Sequence, residues 1–252
     1  MQNPIQKEKL IEKISEDKNS GFLLIDKEEG RSSFFIIKQL RHITGIKKIG
    51  FAGTLDPIAS GLLIVAISSA TKFLDAFHFL DKVYLAKIEL GKISDTYDGE
   101  GDIKIKKVNN IPKLEDIKKI IDKNLTGEIL QTPPIFSAKK INGKKAYELA
   151  RKDKQVEIKP AKIKINNIKI KKYKYPFLEL EINCSRGTYI RSIANDLGKK
   201  LKTGGILSKL KRTQIGNFNV KNAIKQENIN KQIVEKNKLK IQYIIKKING
   251  KN

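Results

Sequence analysis

Residues 61 to 67, Gly-Leu-Leu-Ile-Val-Ala-Ile, carry no polar side chain on either alternating face. That pattern predicts a strand covered on both sides, in the middle of a sheet. Upstream, GFLLIDK at 21 to 27 predicts a short buried strand, and the pair Ser32-Ser33 offers an N-cap to an apolar-periodic helix running to about Thr44. Further predicted elements are a helix over Thr71 to Leu80 and an alternating strand over Lys82 to Leu90. A helix with apolar residues at 114, 117, 120, 121 and 125 follows. Strands are then expected near 156 to 171, 178 to 184 and 206 to 213, with a helix from Thr188 to Leu201 between the last two. Strands and helices neither alternate strictly nor segregate. The expected class is α+β, with a large mixed, mainly antiparallel sheet flanked by helices.

The ends differ from this middle. Residues 1 to 20 are charged, with Leu10, Ile11 and Ile14 at helical spacing, and read as an N-terminal extension. The folded domain is expected over 21–218, followed by a basic tail over 219–252. Inside the domain, 131–155 begins with two prolines and holds six lysines and one arginine, which predicts an exposed basic insertion.

Charge narrows the partners. With 52 Lys and Arg against 27 Asp and Glu, the 252-residue chain has a formal net charge of +25 and attracts polyanions, nucleic acid first. Lysine, isoleucine and asparagine are all abundant, so part of this charge is compositional bias. Arginine escapes the bias, with six residues beside 46 lysines, and two of the six lie in SRGTYIR at 185 to 191. A planar bidentate fork cannot be replaced by lysine. The single cysteine, Cys184, excludes an internal disulfide or a cysteine-rich metal site and suits a reducing cytoplasm. No stretch has the apolar length of a signal peptide or a membrane span, so export and membrane partners are not expected.

One carboxylate stands out against this background. In IGFAGTLDPIASGLL, residues 49 to 63, Asp56 is the only charged side chain. A structural reading makes it the cap of a Gly/Pro turn, accepting backbone N–H bonds. A functional reading needs three partners: a cation to keep the acid ionised, an aromatic to hold a planar substrate, and backbone freedom for close approach. Glycines 50, 53 and 61 offer the freedom, and Tyr84 and SRGTYIR offer the other two.

These blocks, in order, resemble the TruB-type tRNA pseudouridine synthases. The resemblance spans about Gly21 to Phe218 and is carried by GFLLIDK, KIGFAGTLDPIASGLL, LDKVY, SDTYDGEGD, GKKAYELAR, NCSRGTYIRSIANDLG and LSKLKRTQIG. It implies an isomerase that turns the T-loop uridine at tRNA position 55 into pseudouridine, with Asp56 as nucleophile on a flipped-out uridine. Arg191 matches the arginine paired with the nucleophile, and Tyr84 the tyrosine that stacks on the base and is a candidate for the C5 proton. Tyr189 and Leu210 match positions contacting the uridine, and Lys27 the lysine of the first block. Moving uracil from an N- to a C-glycosidic bond involves no redox step, so neither cofactor nor metal is expected. The expected partner is the tRNA T-arm, bound by a monomer. Phosphate contacts are assigned to Lys139, Lys140, Lys144, Lys145 and Arg151 of the insertion.

Three departures matter. Phe51 stands where the family has a histidine that helps open the loop, keeping a stacking face and losing a hydrogen bond. Glu28 stands where the family usually has proline. Many relatives carry a C-terminal PUA-type domain, and the 34 residues after Phe218 are too few for one. Two other readings of the blocks are a non-catalytic tRNA-binding or tRNA-folding module on the same scaffold, and a pseudouridine synthase for another RNA.

Overall fold

The computed structural model describes residues 4–136, 140–141, 144–145 and 158–250. Lys139 and Arg151 lie outside the described residues, and for Lys140, Lys144 and Lys145 only the backbone is described, as two short paired strands with Lys140 opposite Lys145. The chain forms two compact units, one of residues 1–82 and 211–252, the other of 83–210. The first is discontinuous because the chain leaves it at Lys82 and returns at Lys211, which no linear scan of composition reveals.

In the first unit the strand Ala59–Ile67 runs antiparallel to Gly21–Lys27, with Leu23 opposite Val65, and to Ile49–Ala52, with Phe51 opposite Val65. Ile224–Lys225 adds to Gly21–Lys27 in parallel. Successive side chains of a strand point to opposite faces. Leu62, Ile64 and Ala66 therefore join a cluster with Phe22, Leu24, Phe73, Phe77 and Phe218, while Leu63, Val65 and Ile67 join another with Leu23, Ile25, Ile36, Ile37 and Leu40. This double burial is why the segment has no polar position. Phe22, Phe73, Phe77 and Phe218 meet at centroid separations of 5.6 to 6.3 Å, at tilted and edge-on angles.

The helix Ser33–Thr44 covers the second cluster with Ile36, Ile37 and Leu40, starts at Ser32, whose hydroxyl accepts from Phe35 N, and stops at left-handed Gly45. The helix expected over 71 to 80 is a 3-10 helix, Ser68–Phe77. Its buried positions Ala70, Phe73 and Phe77 are compatible with either helix type, so spacing does not separate the two. Both terminal segments enter this unit's core. Pro4–Glu16 contributes Ile14, and Ile241–Ile248 contributes Ile241 and Ile244.

The second unit holds an antiparallel hairpin, Ala161–Lys174 with Phe177–Cys184, extended on the Ala161–Lys174 side by Gly127–Gln131. The first strand of the hairpin begins at Ala161, later than the pattern predicts, because Pro160 cannot donate to the ladder. Lys82–Leu90 lies on the Phe177–Cys184 side. Helices Leu114–Asn124 and Ile190–Lys200 supply Ile117, Ile121, Ile193 and Leu197 to its interior. Mixed, mainly antiparallel sheet with helices packed on it makes the fold α+β, as the pattern of elements predicts.

Candidate active site

The loop bearing Asp56 is built from the first unit alone. Gly53 is left-handed at φ +70, and its carbonyl accepts from Arg212 Nη2 at 2.9 Å, while Arg212 Nε donates to Leu62 O at 2.8 Å. Arg212 is fully buried, and its own backbone lies so close to Gly61 that a Cβ there would sit 2.3 Å from the Arg212 carbonyl oxygen. Gly61, at φ +102, is thus required both for conformation and for space. On the loop's other side Ser33 Oγ donates to Leu55 O at 3.1 Å and accepts from Leu55 N at 2.9 Å. Ala59 N donates to Asp56 O at 3.0 Å, and Gly30 N to Pro57 O at 2.8 Å. Gly53, Leu55, Asp56 and Pro57 are thus held through their backbone, and Asp56 is half-buried.

Lys27 and Phe51 belong to the same unit. Lys27 is fully buried, its ammonium donating to Glu28 O at 2.7 Å and Arg31 O at 2.6 Å, which braces the turn leading to Ser33. Glu28 N donates to Gln226 Oε1 at 3.0 Å, a bond that proline at this position could not make. Phe51, half-buried, packs against the cluster of Ile36, Ile37 and Leu63.

Arg191, Tyr189, Tyr84 and Leu210 belong to the second unit. Arg191 is the second residue of the helix Ile190–Lys200 and is buried, with Nη1 3.4 Å from Asp98 Oδ2. The same nitrogen donates to Thr96 O at 3.2 Å, and Nη2 donates to Phe136 O at 3.1 Å. Asp98 is itself buried and accepts from Thr96 Oγ1 at 2.5 Å and Glu100 N at 3.0 Å. Thr96 and Asp98, with Phe136 O, thus hold the guanidinium. Burial pushes the Tyr97 phenol up, with the Asp196 charge adding to it, and burial likewise raises Asp196 against Lys199 and Lys200. Tyr189 caps the Arg191 helix, and buried Gln131 ties down its backbone, accepting from Tyr189 N at 2.8 Å and donating to Tyr189 O at 3.1 Å. Tyr84 is half-buried on Lys82–Leu90, and Leu210 is buried on Gly205–Ile215.

The sequence reading missed Asp98, Ser33, Gln131 and Arg212. Asp98 had a signal: four carboxylates crowd SDTYDGEGD in a chain of opposite net charge. Arg212 had the scarcity of arginine. Ser33 and Gln131 had none. Among the described residues no three His, Cys, Asp or Glu side chains gather as metal ligands would.

The fold is shared with solved ribonucleoprotein components. A structure of an H/ACA RNP bound to a substrate RNA containing 2'-deoxyuridine matches 99% of this chain and 59% of that chain, at 22% identity and a TM-score of 0.62. An archaeal box H/ACA sRNP complex matches 98% and 65%, at 20% identity and a TM-score of 0.65. Sequence goes further. Residues 41–190 match the TruB family pseudouridylate synthase N-terminal domain, and 191–248 the tRNA pseudouridylate synthase B C-terminal domain. A protein of Protochlamydia amoebophila named tRNA pseudouridine synthase B is 47% identical over 205 residues, 81% of this chain and 77% of its own length. One of the same name from Clostridium acetobutylicum is 44% identical over 217 residues, 86% and 74%. The chain belongs to the TruB family of tRNA pseudouridine synthases, and its reaction is an isomerisation.

Proposed function

We propose that the chain converts the T-loop uridine at tRNA position 55 to pseudouridine, acting as a monomer with Asp56 as nucleophile. The observation that carries this reading is the pinned loop: Gly53 held by Arg212 and Leu55 by Ser33, immediately ahead of the half-buried Asp56. A nucleophile held by its backbone needs little reorganisation when it attacks. The target uridine is extruded from its stack, at a cost of a few kcal/mol. Asp56 then attacks the sugar or the base, and the N1–C1' bond breaks. The uracil leaves with the electron pair on N1 and turns, C5 bonds to C1', the bond to Asp56 breaks to return the carboxylate, and C5 loses a proton while N1 gains one, so uridine and pseudouridine are isomers and nothing else is consumed. Tyr84 stacks on the freed base and is the candidate to take that proton, and Tyr189 and Leu210 contact it. Arg191 is assigned, on the family resemblance, as the guanidinium partner of the nucleophile.

Asp56→Asn is expected to abolish pseudouridine at nucleotide resolution in a T-arm transcript while binding stays within a few fold. Appreciable turnover by that variant removes Asp56 from the chemistry. Arg191→Lys is expected to slow the first turnover on the order of a hundredfold, because an ammonium lacks the fork geometry. A wild-type rate would remove Arg191 from its assigned role. RNA binding without any pseudouridine from the wild-type chain would favour the folding-module reading instead.

A further inference from the structure

The outer face of the helix Ser33–Thr44 has a composition that core packing does not explain. Ile36, Ile37 and Leu40 point into the core, yet the helix also presents Phe34 at 49% exposure and Phe35 at 37%. Each ring is covered by a cation. Arg31 Cζ lies 4.8 Å from the Phe35 centroid, while Lys38 Nζ and Arg41 Cζ each lie 5.7 Å from that of Phe34. Arg31, Lys38, Arg41, His42, Lys47 and Lys48 are all exposed.

Compositional bias does not account for this. The bias inflates lysine, but two of the chain's six arginines stand on this one face, and from Arg31 to Leu55 there is no carboxylate, in a chain with 27. A solvated helix face normally mixes both signs, and two adjacent exposed phenylalanines are not needed for it. Alternating aromatic planes and cations without acids suit one kind of partner: a polyanion with flat faces, meaning unpaired nucleotides of RNA. The face also adjoins the candidate active site, since Ser33, beside Phe34 and Phe35, is the residue that grips Leu55.

We infer that this face is a second contact for the substrate RNA, with Phe34 and Phe35 stacking on unpaired bases and Arg31, Lys38 and Arg41 meeting phosphates. The inference rests on the proposed action on tRNA. It assigns the helix a binding role apart from the chemistry at Asp56.

The test measures binding of an unmodified tRNA transcript across a salt series, with pseudouridine formation by the wild-type chain followed on the same transcript. F34A/F35A is expected to weaken binding roughly fivefold or more, with little change in salt slope, because stacking releases no counterions. R31Q/R41Q is expected to lower the slope by roughly 1 to 2. The conservative pair F34Y/F35Y keeps the stacking planes and is expected to bind as the wild type does, and a urea unfolding midpoint of the alanine pair equal to that of wild type separates a lost contact from a lost fold. Unchanged affinity and slope in both altered pairs, with an active wild-type chain, overturns the contact and leaves the catalytic reading intact. A wild-type chain that forms no pseudouridine overturns the catalytic reading itself.

Discussion

At the residue scale, the arrangement around Arg191 depends on Asp98. A buried guanidinium is costly unless answered, and Asp98 answers it from a turn whose own groups hold the carboxylate in place. Asp98→Asn keeps the shape and removes the charge, and it turns an amide toward the guanidinium. The expected loss of stability is about 3 kcal/mol, near the lower end for breaking a buried pair, because Thr96 O and Phe136 O still accept from Arg191. Turnover is expected to fall on the order of 10- to 100-fold through a misplaced guanidinium. Urea denaturation and single-turnover rates check the two effects separately. A variant of wild-type stability and rate would show that Asp98 neither holds nor orients Arg191.

At the element scale, the start of the 3-10 helix Ser68–Phe77 is tied to the chain beyond the N-terminal helix. Asp17 accepts from Ser69 Oγ at 2.6 Å, Ser68 Oγ at 2.7 Å and Ser69 N at 3.1 Å. The Ser69 hydroxyl first, then the Ser68 hydroxyl, draws the Asp17 carboxyl from 3.8 down to about 2. The folded value lies below the unfolded one, so the stabilisation is full above about pH 4 and is lost as pH falls through about 2. Asp17→Asn is therefore expected to lower the melting temperature at pH 6, with the gap to wild type closing between pH 4 and 2. A gap independent of pH would mean that the charge is not what matters. This tie also marks where sequence reading stopped. The double-faced strand at 61 to 67, the Ser32 cap and the α+β class follow from local periodicity, which a linear scan sees. The docking of Ile14 beside Ile241, more than 220 residues apart, and the grip of Arg212 on Gly53 do not, because they are set by packing between distant segments. Among the candidate residues, Asp56 and Arg191 stand out in the sequence because their residue types clash with their surroundings. Ser33 and Gln131 act through ordinary polar bonds to backbone, which no local pattern announces.

At the scale of the whole molecule, the excess of 25 positive charges sets how binding responds to salt. Each phosphate neutralised releases condensed counterions, so the logarithm of affinity falls with that of salt, with a slope of about 0.7 to 0.9 per contact. Compositional bias and a dedicated binding segment both raise net charge, but only the second concentrates the slope in a few lysines. Lys139, Lys140, Lys144 and Lys145 fall within seven residues, bracketing Ile141, Asn142 and Gly143. If that cluster contacts tRNA phosphates, replacing all four by glutamine is expected to lower the slope by roughly 3, weakening binding far more at 50 mM salt than at 200 mM. Replacing four lysines of the strand Ala161–Lys174, Lys162, Lys164, Lys169 and Lys171, is expected to change the slope by less than about 1, since nothing singles that strand out beyond the chain-wide abundance of lysine. Equal effects from the two sets would make attraction a property of the total charge and would remove the insertion from the binding surface.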